Sequence, residues 1–189
     1  VEPTEEERKR IKEVIPIAII LTKKRDGTFK ASAVVLGNRI SNPGEFECYS
    51  PVVSQPATKY LLTEAAACGD AVLVFDQDCA FLNAELEEEV FVSLPKEWRG
   101  ANDSGVRKLK KALYGLKQSP RAWFKKYAET LKGQGWEQCD LGLGLWRKPS
   151  KAEKGKWLKL SVYVDDNVAT GPSERELRKE AENLLGIFP

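Results

Sequence analysis

Short apolar runs limit what this chain can fold into. Each is five to eight residues long and rich in β-branched or aromatic residues, which is typical of strands rather than helices. The clearest are Ile15–Leu21, Phe29–Leu36, Ala71–Phe75 and Trp157–Val164. An Asp-Gly pair between the first two predicts a β-hairpin. The uninterrupted run Ala71–Phe75 predicts a buried strand. The chain should therefore contain substantial β-structure.

Helix signals lie between these strands, so the sequence predicts a mixed α+β fold. Serine or threonine caps precede several helical segments, with capping boxes at Thr4–Glu7 and Ser173–Glu176, and glycine follows three of the segments. The predicted helices are Thr4 to about Val14, Ala57–Cys68 before Gly69, the acidic segment Ala84–Val90, Ser119 to about Lys132 before Gly133, and Ser173 to Leu185 before Gly186.

Composition excludes several classes of protein. Histidine is absent from the 189 residues, which removes histidine bases, catalytic triads and histidine metal ligands. The formal net charge of +2 argues against a histone-like or acidic tail. The four cysteines lack C-x-x-C spacing, so we expect reduced thiols in an intracellular protein. No apolar run reaches the roughly 18 residues that span a bilayer, so we expect no membrane partner. Methionine is absent, so we expect a fragment, a processed product or a trimmed chain.

A basic stretch, Arg107–Lys126, contains no acidic residue. Such a run is often only a solvated face, but it also suits contacts to a phosphate backbone. The interleaved aromatic residues, among them Tyr114 and Trp123, suit either a core stripe or contacts to bases and sugars. The candidate nucleic-acid contacts are Lys108, Lys110, Lys111, Lys117 and Arg121.

Carboxylates follow two of the predicted strands. Asp76 comes directly after Ala71–Phe75, and Asp165 and Asp166 follow the apolar residues 162–164. If these groups converged without a basic partner, repulsion would cost several kcal/mol unless a divalent cation neutralised them. Mg²⁺ binds one or two carboxylates, and paired ions drive phosphoryl transfer, in nucleases as well as polymerases. The residues leave open a simpler alternative, in which the Asp pair is only a polar turn.

Four segments carry more specific patterns. Tyr163–Asp166 reads Y-V-D-D. Asp76–Val90 contains A-F-L-N followed by L-E-E-E-V, and Leu109–Trp123 reads L-K-K-A-L-Y-G-L-K-Q-S-P-R-A-W. Together with Ser50–Val53, these segments resemble motifs of copia-type (pseudoviral) retrotransposon reverse transcriptases. They occur in that family's order, and the resemblance covers about residues 15–188.

The resemblance implies a right-hand polymerase, with an antiparallel palm sheet backed by helices and a small fingers subdomain. Residues 1–14 would form a charged N-terminal helix, and residues 15–70 the fingers with the start of the palm. Residues 71–189 would form the palm, with a fingers insertion around 90–120, truncated before the thumb and RNase H. The implied activity is RNA- or DNA-templated DNA synthesis. The implied partners of the chain are a primer–template, deoxynucleoside triphosphates and the missing thumb and RNase H portion of a polyprotein. The implied location is a cytoplasmic particle or the nucleus.

The resemblance also assigns site residues. Asp76, Asp165 and Asp166 match the catalytic carboxylates. Asp76 and Asp165 would hold two Mg²⁺ or Mn²⁺ ions, and Asp166 would support the site. One ion would activate the primer 3′-hydroxyl, and the other would orient the triphosphate. Phe81 would stack under the incoming sugar and exclude a 2′-hydroxyl. The remaining nucleotide-binding candidates are Ala80, Tyr114, Gly115 and Lys30.

Four positions depart from the family pattern. Ser32 and Leu36 stand where the family has arginines, and fewer cations would weaken triphosphate binding. Asp78 adds a carboxylate near Asp76, and Asn167 stands where an apolar residue usually follows the Asp pair. These departures favour the alternative hypothesis, a catalytically decayed descendant that acts as a nucleic-acid-binding or scaffolding module.

Overall fold

The computed structural model describes residues 1–40, 49–140 and 142–188. The chain passes three times between two units, one formed by residues 1–49 and 81–123 and the other by residues 50–80 and 124–189. The fold is mixed α+β, as the sequence predicts. In chain order the helices are α1 (Glu5–Arg10), α2 (Gln55–Cys68), α3 (Ser119–Gly133) and α4 (Glu174–Ile187), and the strands are β1 (Ile15–Lys23), β2 (Phe29–Val35), β3 (Ala71–Asp76), β4 (Phe91–Ser93), β5 (Val106–Lys108), β6 (Glu137–Gln138), β7 (Leu145–Pro149), β8 (Trp157–Tyr163) and β9 (Asp166–Gly171).

The first unit is built on the predicted hairpin. β1 and β2 pair antiparallel from Ile17 opposite Val35 to Lys23 opposite Phe29. Gly27 in the turn has φ +86°, a conformation that favours glycine. β4 lies parallel to β1 and antiparallel to β5, which gives the strand order β2-β1-β4-β5. The hairpin prediction is therefore confirmed, and the hairpin is one half of a larger sheet.

The helix α1 has the predicted start and an earlier end. Thr4 Oγ1 accepts a hydrogen bond from the Glu7 N–H, and the Glu7 carboxylate accepts one from the Thr4 N–H, so the capping box is present. The helix stops at Arg10 rather than near Val14, because Ile11 is already extended toward β1.

The predicted helix Ala84–Val90 is wrong, since the segment is largely irregular and extended. Glu85 forms a β-bridge with Lys111, and the Ala112 N–H donates to the Ala84 carbonyl at 2.8 Å. The physical reason is charge: four glutamates within five positions would repel one another on a helix surface. A neighbouring backbone segment satisfies the same peptide groups without bringing those carboxylates together.

The second unit is a five-stranded antiparallel sheet in the order β3-β9-β8-β7-β6. The helix α2 packs on one face, where the Thr58 and Ser161 hydroxyls are hydrogen-bonded at 2.9 Å. The helices α3 and α4 cover the other face. There α4 joins β7 through the half-buried ion pair of Lys148 with Glu180 at 2.8 Å. The sheet therefore has one fully covered face and one face that is covered only in part.

Two strands of the second unit differ from their sequence-based predictions. β3 is an edge strand whose burial alternates, with Val72 46% and Val74 69% exposed, so Ala71–Phe75 is not uniformly buried. The strand β9 was not predicted at all, because its residues are short or polar. It forms because it pairs with β3 on one side and β8 on the other.

Helix ends in the second unit lie close to the predicted positions. α2 begins at Gln55 rather than Ala57, after the cap Ser54, which was not predicted, and it ends at the predicted Gly69, which has φ +68°. α4 begins after the cap Ser173, but it runs through Gly186 to Ile187. The Glu176 carboxylate does not complete a capping box and instead accepts the hydroxyl of Ser150 at 2.6 Å.

The structure describes three of the four cysteines, Cys68, Cys79 and Cys139, and none of these three forms a disulfide bond. The fourth cysteine, Cys48, lies outside the described residues, as does Asn42–Gly44, where the sequence Asn-Pro-Gly predicts a turn. None of the helices in the described ranges is long and apolar enough to cross a bilayer.

Candidate active site

The hairpin that joins β8 to β9 carries two of the predicted catalytic carboxylates. Tyr163 pairs with Asp166, so Val164 and Asp165 form a two-residue turn between the strands. Val164 has φ +59°, a left-handed conformation that is strained for a β-branched residue. Such strain costs about 1–3 kcal/mol and persists only where the surroundings hold it. The sequence placed Val164 at the end of a strand and so missed this turn.

Asp76, Asp166 and Tyr163 form one row across the partly covered face of the sheet. Asp76 ends β3 and lies directly opposite Asp166, which in turn lies opposite Tyr163. Residues opposite each other in antiparallel strands project from the same face, with their Cβ atoms about 4.5–5.5 Å apart. All three side chains are exposed, and Asp165 lies in the adjoining turn. The structure thus brings together carboxylates that are 90 positions apart in the sequence.

These carboxylates repel one another. The pKa of Asp76 is raised above its usual value, first by partial burial and then by the negative charges of Asp165, Asp166 and Asp78. Across the ranges that the structure describes, no lysine or arginine forms an ion pair with the three predicted catalytic carboxylates. The repulsion is therefore left without a basic partner.

The donor chemistry at this row fits a hard divalent cation. Mg²⁺ takes oxygen ligands, and one or two carboxylates suffice because water and substrate phosphate complete its octahedron. Asp76 and Asp166 supply such oxygens on an exposed face that leaves room for water and phosphate. Within the described part of the chain, however, no three carboxylate or thiol groups converge as a ready-made ligand set. The row is thus compatible with a site that substrate completes, rather than with a closed structural site.

Buried polar groups hold the turn from the covered face. The carbonyl of Asp165 accepts the Gln77 N–H at 2.9 Å and Nδ2 of Asn167 at 2.8 Å. The Asn167 side chain is fully buried, and its Oδ1 accepts the Tyr127 hydroxyl at 3.0 Å. Sequence reasoning missed these roles. The available signal was a polar residue, Asn167, directly after the Asp pair.

A groove of about 380 Å³ lies on the same face beside Asp166. Thr58 and Lys59 of α2 line it, together with Ser161 and Tyr163 of β8. The groove therefore places hydroxyl groups and one cationic side chain next to the row of carboxylates.

Two of the predicted nucleotide-binding residues are in contact within the first unit. The rings of Phe81 and Tyr114 meet edge to face, with their centroids 4.7 Å apart. The Tyr114 carbonyl accepts the Val35 N–H at 2.8 Å, which fixes this loop against the end of β2. Gly115 has φ +92°, and a Cβ there would collide with the Val35 carbonyl oxygen. Glycine is thus required at position 115 by close backbone packing.

The predicted nucleic-acid contacts differ in their surroundings. The Lys108 ammonium forms ion pairs with Glu7 at 2.7 Å and Glu89 at 2.6 Å, so it is engaged within the first unit. These acidic partners raise the pKa of Lys108 and keep it charged. The other predicted binding residues comprise exposed lysines, one half-buried arginine and one buried alanine: Lys30, Lys110, Lys111, Lys117, Arg121 and Ala80.

The family model described as reverse transcriptase (RNA-dependent DNA polymerase) matches residues 7–188. The chain therefore belongs to the reverse transcriptase family, which agrees with its mixed fold and the carboxylate row.

Its relatives narrow the class further. The chain is 32% identical over 172 residues to the Retrovirus-related Pol polyprotein from transposon TNT 1-94 of Nicotiana tabacum, covering 87% of this chain and 13% of the relative. It is 36% identical over 182 residues to the Transposon Ty1-DR4 Gag-Pol polyprotein of Saccharomyces cerevisiae, covering 94% of this chain and 11% of the relative. The chain is a copia-type reverse transcriptase region, and it spans about a tenth of the length of these polyproteins.

Proposed function

We propose that this chain is the nucleotidyl-transferring part of a retrotransposon reverse transcriptase, which extends a primer on an RNA or DNA template. One observation carries the proposal: Asp76 and Asp166 face each other across two strands, with Asp165 in the adjoining turn and no described cation paired to them. An uncompensated cluster of carboxylates lowers the stability of the fold, so its presence points to a functional role. Membership in the reverse transcriptase family supports the same activity.

In this proposal Asp76 and Asp165 hold two Mg²⁺ or Mn²⁺ ions, and Asp166 supports the site. When bound, such ions supply Lewis-acid activation of the primer hydroxyl and neutralise charge on the leaving pyrophosphate. The contribution of the chain itself is positional: the paired strands fix where the carboxylate oxygens lie before substrate arrives.

Four of the five proposed nucleotide contacts, Lys30, Phe81, Tyr114 and Gly115, lie in the first unit, and Ala80 belongs to the second. The edge-to-face contact with Tyr114 holds the Phe81 ring in one orientation. In the proposal this ring stacks under the incoming sugar, where it would collide with a 2′-hydroxyl and so favour deoxynucleotides. We assign template or primer backbone contacts to the exposed lysines of the basic stretch, Lys110, Lys111 and Lys117. The thumb and RNase H regions of the polyprotein are its proposed intramolecular partners, and an intracellular setting follows from the same proposal.

Primer extension tests the catalytic assignment. A labelled primer on an RNA template is incubated with the chain, deoxynucleoside triphosphates and Mn²⁺, and extension products are resolved on a gel. We expect Asp165→Asn to reduce incorporation at least about 100-fold, since it removes one charged ligand. Asp140→Asn is the matched control, because Asp140 is an exposed carboxylate of the same unit outside the row. Equal incorporation by the wild type and Asp165→Asn would show that Asp165 is not catalytic.

One observation favours a second function, nucleic-acid binding without synthesis. No complete set of three metal ligands is present in the described ranges, whereas several lysines of the basic stretch are exposed. A gel shift of the same primer–template that weakens steeply with salt, together with no incorporation and no Mn²⁺ binding, would support this function over the first.

A further inference from the structure

We infer that Asn167 and Tyr127 are positioning residues of the active site, because their hydrogen bonds hold the backbone carbonyl of Asp165 in place. The inference rests on the proposed function, in which Asp165 binds metal. It assigns a purpose to Asn167, the one departure from the family pattern that the structure buries completely.

The hydrogen bonds fix the orientation of the Asn167 amide. A carbonyl oxygen only accepts, so the group 2.8 Å from the Asp165 oxygen must be the Nδ2 donor. Oδ1 then faces the Tyr127 hydroxyl at 3.0 Å and accepts a hydrogen bond from it. The Asp165 carbonyl therefore selects the amide orientation, and the tyrosine hydroxyl satisfies the amide oxygen in that orientation.

Burial makes this arrangement specific. Asn167 is 0% and Tyr127 is 2% exposed, so water does not compete for these polar atoms. A buried amide without partners is strongly unfavourable, which leaves one low-energy arrangement for the pair. An apolar residue at position 167 would fill the same space but would give the Asp165 carbonyl no donor.

The turn needs such support because its backbone is strained and because its Asp165 carbonyl connects two neighbouring segments. Val164 is held at φ +59°, which is unfavourable for valine, so the local sequence does not maintain this conformation alone. The Asp165 carbonyl accepts two donors, one from Asn167 on β9 and one from the Gln77 N–H directly after β3. This oxygen therefore links the segment that carries Asp165 to the strand that carries Asp76.

The same contacts extend to the end of α4. The Gln77 side chain is buried, and its Nε2 donates to the Phe188 carbonyl at 2.8 Å. The Phe188 ring packs against Tyr127, with the centroids 5.9 Å apart. Helices α3 and α4 thus both contribute to the support behind the turn.

A double replacement separates positioning from stability. Asn167→Leu removes the donor to Asp165, and Tyr127→Phe removes only the hydroxyl that donates a hydrogen bond to the amide oxygen. The combined Tyr127→Phe/Asn167→Leu variant replaces both polar partners by apolar groups, a change that is often nearly neutral for stability. If the pair only fills the core, the double variant should behave as the wild type in every respect.

Three measurements are made on the whole chain. The melting temperature reports stability. Hydrogen exchange of the Gln77 amide, compared with amides of β8, reports opening of the turn relative to the sheet. Calorimetric titration with Mn²⁺ reports metal affinity.

We expect Asn167→Leu to accelerate exchange of the Gln77 amide at least tenfold and to weaken Mn²⁺ binding about tenfold, as outer-shell changes do at metal sites. Tyr127→Phe should act in the same direction with a smaller effect. It is the variant used for the test if Asn167→Leu does not fold. The double variant should recover the melting temperature but neither of the other two properties.

Recovery of exchange protection together with the melting temperature in the double variant would overturn the inference, as would unchanged exchange in all variants. If the wild type binds no Mn²⁺, the proposed function fails, while the exchange measurement still decides whether Asn167 and Tyr127 hold the turn.

Discussion

Replacing Asp76 by asparagine should stabilise the metal-free chain while abolishing its response to metal. Asp76 lies directly opposite Asp166 and near Asp165, and no described cation offsets their charges. Asparagine keeps the shape of the side chain and removes one negative charge. The prediction therefore isolates the electrostatic cost of the row.

The magnitude follows from the register. Side chains opposite each other in an antiparallel pair are about 5 Å apart, where two unit charges interact by about 0.8 kcal/mol in water and about 3 kcal/mol at an effective dielectric constant near 20. Asp76 and Asp166 are exposed, so solvent keeps each pair near the lower value. Two neighbouring charges together give about 1–2 kcal/mol at low salt. For a chain of 189 residues this corresponds to a rise in melting temperature of about 2–8 °C.

Thermal unfolding in EDTA at low ionic strength measures this difference, with Asp140→Asn as the control. In 1 M salt the Debye length falls to about 3 Å, so most of the gain should disappear. Addition of Mn²⁺ should raise the melting temperature of the wild type and leave that of Asp76→Asn unchanged. Destabilisation by Asp76→Asn in EDTA, or a gain that does not depend on salt, would refute the electrostatic reasoning.

The pH dependence has a definite sign. Because the pKa of Asp76 is raised in the folded chain, folding disfavours its charged form. The destabilisation is complete above the folded pKa and vanishes as the pH falls below the unfolded value of 3.8. The advantage of Asp76→Asn should therefore be present at neutral pH and lost toward pH 3.

Three further predictions concern backbone conformation and charge. Gly115→Ala should lower the free energy of unfolding by about 3 kcal/mol, because φ +92° is strained for alanine and the Cβ overlaps backbone, whereas Gly186→Ala in open helical space should raise it by about 0.5–1 kcal/mol; urea unfolding compares the two. Val164→Gly should relieve the left-handed strain and raise stability by about 1 kcal/mol, yet reduce primer extension because the turn becomes flexible; lower stability in thermal unfolding would contradict this. Hydrogen bonds, first from Lys108 and then from Thr4, lower the pKa of Glu7 from 4.5 to about 2. The stability that the charged carboxylate adds is therefore present above pH 4.5 and lost as the pH falls toward 2. In Glu7→Gln the stability should depend less on pH in that window, as measured by circular dichroism during acid unfolding.

The sequence correctly predicted the elements whose conformation depends on contacts within a few residues along the chain. The β1–β2 hairpin follows from its Asp-Gly turn, and the end of α2 follows from the terminating Gly69. In both cases the conformation depends on contacts within a few residues. The same holds for the capping box at Thr4.

Elements that depend on distant partners were not predictable in this way. β9 consists largely of small or polar residues and exists because β3 and β8 flank it. The segment 84–90 avoids a helix because residues 109–112 satisfy its backbone. For the site, the sequence identified Asp76, Asp165 and Asp166 as candidates. Their register, and the buried amide behind them, required the sheet.

The two faces of the sheet in the second unit have opposite physical roles. On the partly covered face, exposed carboxylates repel one another beside a strained turn, and each of these features lowers stability. On the covered face, Leu158, Leu160 and Val162 of β8 are buried, and both polar atoms of the Asn167 amide are hydrogen-bonded. Alternation along a strand joins the two, because adjacent residues such as Asp166 and Asn167 project to opposite faces. The covered face therefore supplies the stability that lets the other face keep an arrangement with few internal compensations. In the proposed function, a divalent cation supplies the missing positive charge, and water and substrate phosphate complete its ligands.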